Sequence, residues 1–371
     1  MRLSVMQENL LKSLSLVGRC VSAKQALPVL SNILLQTEDG RLKLCATNLE
    51  TSITLWLGAK VEIEGSITVP ARLLIEFVSS LPNEKIDLDL KDESLTVTCA
   101  SYSANIAGIA ASEFPPIPIL EEEPNLLVDP KIFSKAAGQV AFAASADEGR
   151  PVLTGVFFES AKGSLNLVAT DGYRLTKKTL DVTAEIGEGV VIPARSVSEA
   201  IKVASEAEEG EMLKVAVTKS KNQAIFALGN IQLATRLLDG TYPPYQNIIP
   251  KSFTTRLVVG VEDFLKSVRA ASVFAKDLGN VIRLKLDPKT NRVTLFSATA
   301  QLGEGTSSFE ASLEGEEVEA AFSSRYLTDT LSALNTTQVS LELNSATSPV
   351  VFKPVGEENY LQIIMPVRLQ N

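Results

Sequence analysis

A chain of 371 residues, 45% of them apolar and 21% charged, has the composition of a globular protein and the length of about two to three domains. It contains no histidine, which removes the commonest general base and metal ligand and argues against hydrolytic triads and zinc chemistry. A formal charge of −9 disfavours nucleic-acid binding only on average, because net charge does not say on which face the 35 Lys and Arg residues lie.

The opening Met1-Arg2-Leu3-Ser4-Val5-Met6-Gln7-Glu8 lacks the apolar stretch of a signal peptide. No apolar run approaches the roughly 20 residues that span a bilayer, so a cytoplasmic protein is expected. Leu10, Leu14 and Val17 then recur at helical spacing, with Lys12 and Arg19 off the stripe. Strand-like runs rich in Val, Ile, Leu and Thr follow, broken at Asp39-Gly40. Pro70-Ala71-Arg72 opens a second helix with Leu74, Phe77, Val78 and Leu81 as its apolar face, proline ahead of a helix being a starting signal. Alternation at Ile86, Leu88 and Leu90, then at Leu95, Val97 and Cys99, predicts two further strands. Cys20, Cys45 and Cys99 form no CxxC pair and read as buried thiols rather than as a disulfide framework or metal site.

The same order returns twice. Phe133, Ala137 and Val140 make the next stripe, flanked by Lys131 and Lys135; a break follows at Lys162-Gly163, a helix after Pro193-Ala194-Arg195, and a strand at Leu213, Val215 and Val217. Phe264, Leu265, Val268 and Ala271 make the third, flanked by Lys266, Arg269 and Lys276; Thr290-Asn291, Phe322-Ser323-Ser324-Arg325 and the strand Val339, Leu341, Leu343 complete it. With Pro28 set against Pro151, the motifs Pro-Val-Leu, Gly, Leu-x-Leu and Ala-Thr fall in register without a gap. The third copy is weaker, yet the spacings from Lys135 to Lys266, Thr170 to Thr299 and Arg195 to Arg325 agree to within two residues. Three α+β domains are expected, each of two helices and several antiparallel strands and each burying its own core. Phe114-Pro115-Pro116 leads to residues 117–124 and Tyr242-Pro243-Pro244-Tyr245 to Ile249-Pro250-Lys251, proline-rich stretches that read as extended connectors, which gives domains at 1–124, 125–251 and 252–371.

Three features invite a functional reading. Basic residues on helix faces are ordinarily a solvated surface, but their recurrence in all three copies implies a common anionic object, for which a phosphate backbone suffices. Thr170-Asp171-Gly172-Tyr173-Arg174-Leu175 departs from its counterpart Thr47-Asn48-Leu49-Glu50 just after the shared Thr. It reads as a tight turn with glycine at positive φ and Arg174 paired to a carboxylate, or as an acid and base for catalysis, though no nucleophile or metal cluster accompanies them. The stretch from Tyr360 to Asn371 reads as a last strand ended by proline, or as an apolar surface with adaptable Met365 for a peptide partner.

LPVLSNILL near the start, ATDGYRL in the second copy, DGTYPPYQNIIP at its end and the terminal MPVRL occur in that order across the whole chain. Together they closely resemble the bacterial sliding clamp family, the beta subunit of DNA polymerase III. The resemblance implies the DNA clamp fold in a head-to-tail homodimer ring, each protomer giving three domains and six inner helices. Twelve helices at about 10 Å spacing have a circumference of roughly 120 Å, which leaves an opening that a duplex can thread. It also implies a non-catalytic processivity factor that encircles duplex DNA without sequence preference, needs no cofactor or metal, and tethers the replicative polymerase, the clamp loader and other proteins. ATP-driven loading by a partner is expected, since the chain has no GxxxxGK[ST] motif.

Carried over residue by residue, the family's partner-peptide pocket falls on Leu153, Thr170, Gly172, Tyr173, Arg174, Leu175, Pro243, Asn247, Ile248, Ser323 and Tyr326. It continues through Ile363, Ile364, Met365, Pro366, Val367, Arg368 and Leu369. Family members often carry His where Tyr173 stands, and Gln370 and Asn371 extend past the usual end. DNA contacts are implied at Lys24 and Arg150, with Lys12, Arg19, Arg72, Lys135, Arg195, Lys202, Lys266 and Arg269 behind them. The ring seam would set Val273 and Phe274 against Ala104 and Ile106 on a first-domain edge strand. Two other readings compete: a three-domain protein-binding scaffold that never encircles DNA, and a hydrolase using Asp171 and Arg174.

Overall fold

The computed structural model describes residues 1–21, 27–120, 123–187, 189–218, 222–275, 279–299 and 303–368. Lys24, Lys276, Leu369, Gln370 and Asn371, named above, lie outside them. The described residues form six α-helices: α1 (Gln7–Val17), α2 (Ala71–Ser79), α3 (Pro130–Ala141), α4 (Ala194–Ala204), α5 (Val261–Ala275) and α6 (Ser324–Ser332). Their predicted stripes face the core. Leu10, Leu14, Val17, Leu74, Val78, Phe133, Ala137, Val140, Phe264 and Val268 are fully buried, while Phe77 and Leu265 are half-buried at the margins of their stripes.

The strands are antiparallel throughout, and the predicted breaks are hairpin turns. Asp39 (φ 50°) and Gly40 (φ 71°) are both left-handed, the type I′ geometry whose twist matches the flanking strands. Pro70 and Pro193 each end a strand, paired to Asn32 and Gly155 respectively, and the helix begins at the next residue. Proline has no N–H to give to a ladder, so it suits the point where pairing stops and the helix takes over.

Contacts divide the chain into two compact units, one of Met1–Lys131 with Glu199–Leu237, the other of Ile132–Ser198 with Leu238–Asn371. Among the described residues the first holds a five-stranded and an eight-stranded sheet, and the second a nine-stranded and a four-stranded sheet. The third copy keeps a buried core of its own from Leu257 to Ile364, while the middle copy is divided between the two units. Its strand Ile231–Arg236 pairs with first-copy Thr51–Gly58, and its strand Arg174–Leu180 pairs with third-copy Tyr360–Ile364. An edge strand carries a row of unpaired N–H and C=O groups, and joining sheets across copies satisfies them.

The Tyr242-Pro243-Pro244-Tyr245 stretch ahead of the second connector is packed rather than solvated. Tyr242 and Tyr245 are buried, and the Tyr242 ring stacks on Phe157 with centroids 4.8 Å apart. The segment is a packed wall: two tyrosines give it more apolar area than a solvated connector can leave exposed.

Candidate peptide pocket and basic helix faces

In the second unit, the hairpin between strands Ser164–Thr170 and Arg174–Leu180 is held by its own side chains. The Gly172 N–H donates to the Thr170 hydroxyl at 3.0 Å, and Asp171 Oδ1 accepts from the N–H groups of Tyr173 (2.9 Å) and Arg174 (3.0 Å). Gly172 has φ +93°, which glycine adopts without strain, and a Cβ there would lie 2.9 Å from the mobile end of the Arg150 side chain.

Arg174 is buried by the same turn. Its Nε donates to Asp171 Oδ2 (3.1 Å), Nη1 to Asp329 Oδ2 on α6 (2.7 Å) and Nη2 to the Phe142 carbonyl (2.8 Å). Its guanidinium lies 4.7 Å from the centroid of the Tyr326 ring. Asp171 is thus committed to the turn's amides and to Arg174, an arrangement that stabilises a structure and leaves no free base. The turn reading of ATDGYRL is the one the geometry bears out.

Below the turn, Leu153, Val168, Leu175, Val191, Tyr242, Tyr245, Val351 and Ile363 form one buried apolar cluster. Burial raises the Tyr242 and Tyr245 phenols, and burial with Asp171 alongside raises that of Tyr326. Past the strand Tyr360–Ile364 the chain is pinned twice: the Met365 N–H donates to the Tyr173 carbonyl (2.8 Å) and the Val367 N–H to the Ala321 carbonyl (2.7 Å). Of the residues carried over to the pocket, Leu153, Thr170, Arg174, Leu175, Ile363 and Ile364 are buried; Pro243, Ser323, Tyr326, Met365 and Pro366 are half-buried; Gly172, Tyr173, Asn247, Ile248, Val367 and Arg368 are exposed. The apolar side chains left in solvent include Tyr173, 61% exposed, with Ile248 and Val367. Tyr242, Tyr245, Phe142 and Asp329 were not singled out as site residues. The first two stand inside the quoted DGTYPPYQNIIP motif, whereas no local pattern marks Asp329 or Phe142 as partners of Arg174.

The recurrent basic residues hold equivalent places. Lys12, Lys135 and Lys266 are each the sixth residue of α1, α3 and α5, and Arg72, Arg195 and Arg325 are each the second residue of α2, α4 and α6. Many are paired to acids: Lys12 to Glu206 (2.8 Å), Arg72 to Glu76 (2.7 Å), Lys135 to Glu357 (2.8 Å), Arg150 to Asp147 (3.1 Å), Lys202 to Glu199 (2.6 Å) and Lys266 to Glu262 (2.7 Å). Among the described residues Arg19, Arg195 and Arg269 are exposed and outside any ion pair.

Three family models cover the chain in order: DNA polymerase III beta subunit, N-terminal domain (residues 1–118), central domain (127–244) and C-terminal domain (246–368). The chain belongs to the bacterial beta sliding clamp family. It is 36% identical to the beta sliding clamp of Synechococcus elongatus over 377 residues, covering 100% of both chains, and 28% identical to that of Bacillus subtilis, covering 99% and 100%. Among solved structures it matches the Thermotoga maritima DNA polymerase III beta subunit (TM-score 0.92, 27% identity, 100% of both chains). It also matches a Pseudomonas aeruginosa sliding clamp bound to griselimycin (TM-score 0.92, 25% identity, 100% of both chains).

As a sliding clamp the chain is a non-catalytic processivity factor of DNA polymerase III, and the hydrolase reading of Asp171 and Arg174 gives way. Among the described residues no helix is long and apolar enough to cross a membrane. Tyr102–Ala107 is an edge strand of the five-stranded sheet and Gly303–Glu310 one of the four-stranded sheet. Val273 is 60% exposed, and half-buried Phe274 packs over Gly305, where a Cβ would lie 2.6 Å from its ring. Ala104 is half-buried, but Ile106 is buried opposite Leu95. Its place on the strand puts its side chain in the core of its own sheet.

Proposed function

We propose that two copies of the chain close head to tail into a ring around duplex DNA in the cytoplasm, and that the pocket described above receives short apolar peptides from the replicative polymerase, the clamp loader and other replication proteins. The observation that carries the ring is positional: a lysine and an arginine recur at the same places in the first and second helix of every copy. Charge repeated at intervals is enough for sequence-independent affinity, and ion pairs that weaken each contact favour sliding over capture. The edge strands at Tyr102–Ala107 and Gly303–Glu310 offer backbone for the seam, with Val273 and Phe274 beside Gly305 as its apolar content. Griselimycin on a relative supports the pocket, where apolar depth and the exposed rim of Tyr173, Ile248 and Val367 suit a peptide.

The test is retention on nicked circular DNA after clamp-loader treatment, compared with the same DNA linearised. Retention on the circle with rapid loss from the linear form is expected. Equal loss from both, with the loader active on a control clamp, would replace the ring with a scaffold that never encircles DNA.

A further inference from the structure

Arg174 is held from three directions. Asp171 belongs to its own turn and Phe142 offers a backbone carbonyl, but Asp329 is a carboxylate 155 residues away on α6. The Asp329 side chain is 34% exposed, at the edge of an open groove of about 430 Å³ that Gly138, Phe142, Arg325 and Ser332 also line. Its ion-pair partners among the described residues are Arg174 at 2.7 Å and, more distantly, Arg325 at 3.8 Å.

We infer that Asp329 is a positioning residue for the peptide pocket: through Arg174 it holds the 170–174 turn, and with it Tyr173 and Met365, in the shape that a peptide meets. The inference rests on the pocket reading above. A buried guanidinium N–H left without an acceptor is costly. Without Asp329 the Nη1 group loses its acceptor, and turning the guanidinium to take both Asp171 oxygens draws Oδ1 away from the Tyr173 and Arg174 amides that it now accepts from. The slack passes onward, since the Tyr173 carbonyl accepts the Met365 N–H. The pocket is thereby tied to a residue that a peptide has no need to touch.

Griselimycin binding to the full-length protein, measured by calorimetry, tests this. Asp329→Ala is expected to weaken binding about tenfold and Asp329→Glu to restore most of it. The Asp329→Ala loss should vanish in an Arg174→Ala background yet multiply with that of Val367→Asp, a pattern that general destabilisation does not produce. Asp329→Asn, which keeps an acceptor at Oδ1, serves if the alanine variant fails to fold. Unchanged affinity in folded Asp329 variants, or losses that multiply equally in both backgrounds, overturns the inference alone. Absence of binding to the unaltered protein, or indifference to Val367→Asp, overturns the pocket reading and the inference with it.

Discussion

The 47–51 turn of the first copy and the 170–174 turn of the second are one backbone used twice. Asn48 Oδ1 accepts from the N–H groups of Glu50 (3.0 Å) and Thr51 (2.8 Å), as Asp171 Oδ1 does from Tyr173 (2.9 Å) and Arg174 (3.0 Å). Leu49 and Gly172 each donate to the hydroxyl of the threonine two residues earlier, at 3.0 Å. Even the crossing chain matches: the Arg236 N–H reaches the Glu50 carbonyl at 2.8 Å and the Met365 N–H reaches that of Tyr173 at 2.8 Å. What differs is the chemistry hung on the frame. Asn48 has an amide NH₂ where Asp171 has a second carboxylate oxygen, so only the second turn can accept a guanidinium. Arg174 takes that place and reaches out to α6, while Thr51 keeps to its own sheet. The pair shows one backbone frame carrying two different side-chain linkages, with the backbone bonds intact.

The sharpest way to break the pairing is Arg174→Ala. It strands Asp171 and the Phe142 carbonyl and should cost about 3–5 kcal/mol in urea unfolding, whereas Thr51→Ala should cost about 1 kcal/mol. At the rim, Tyr173→Ala should weaken griselimycin binding by about 2 kcal/mol, roughly 30-fold, while Glu50→Ala leaves calorimetric affinity unchanged. The two turn tips should also part: Gly172→Ala is expected to cost about 1–2 kcal/mol by denaturant melts, and Leu49→Gly less than about 0.5 kcal/mol, since Leu49 already bears the strain of φ 75°.

Alkaline pH separates the two units in another way. Burial pushes the Cys20 thiol up to about 12 and the Cys45 thiol up to about 11 from the usual 9.0. A raised folded value means that the folded form holds its proton longer. Its stability is therefore complete below about pH 9 and falls as pH rises and the unfolded thiols ionise, by at most about 1.4 kcal/mol per pH unit and thiol. In the second unit Tyr242, Tyr245 and Tyr360, all raised by burial from 10.0, begin the same loss about one unit later. Fluorescence of Trp56, which lies in the first unit, should register the earlier onset in pH-dependent melts, and Cys20→Ala should flatten it. The smallest effect is expected from the helix arginines. Arg195→Ala should lower the salt slope of DNA binding by about 1, and Arg72→Ala by less, because Glu76 already occupies that guanidinium.

Much of this was legible in the residues because it is local. The register of Pro28 with Pro151 needs only the sequence laid against itself, while helical spacing at Leu10, Leu14 and Val17 and the Asp39-Gly40 hairpin depend on neighbours within a few positions. So did the reading of Thr170-Asp171-Gly172 as a turn. Pairing between distant strands carries no such period, which is why the shared middle copy was not anticipated. The Arg174 bond to Asp329 crosses from a hairpin to a helix, and nothing near either residue advertises the other.

The sheets that run across copies have a consequence for any attempt to take the protein apart. A gene fragment encoding one repeat would leave its joining strand bare, either Thr51–Gly58 without Ile231–Arg236 or Arg174–Leu180 without Tyr360–Ile364. Such an exposed ladder pairs readily with any neighbour, so single repeats should aggregate when produced alone.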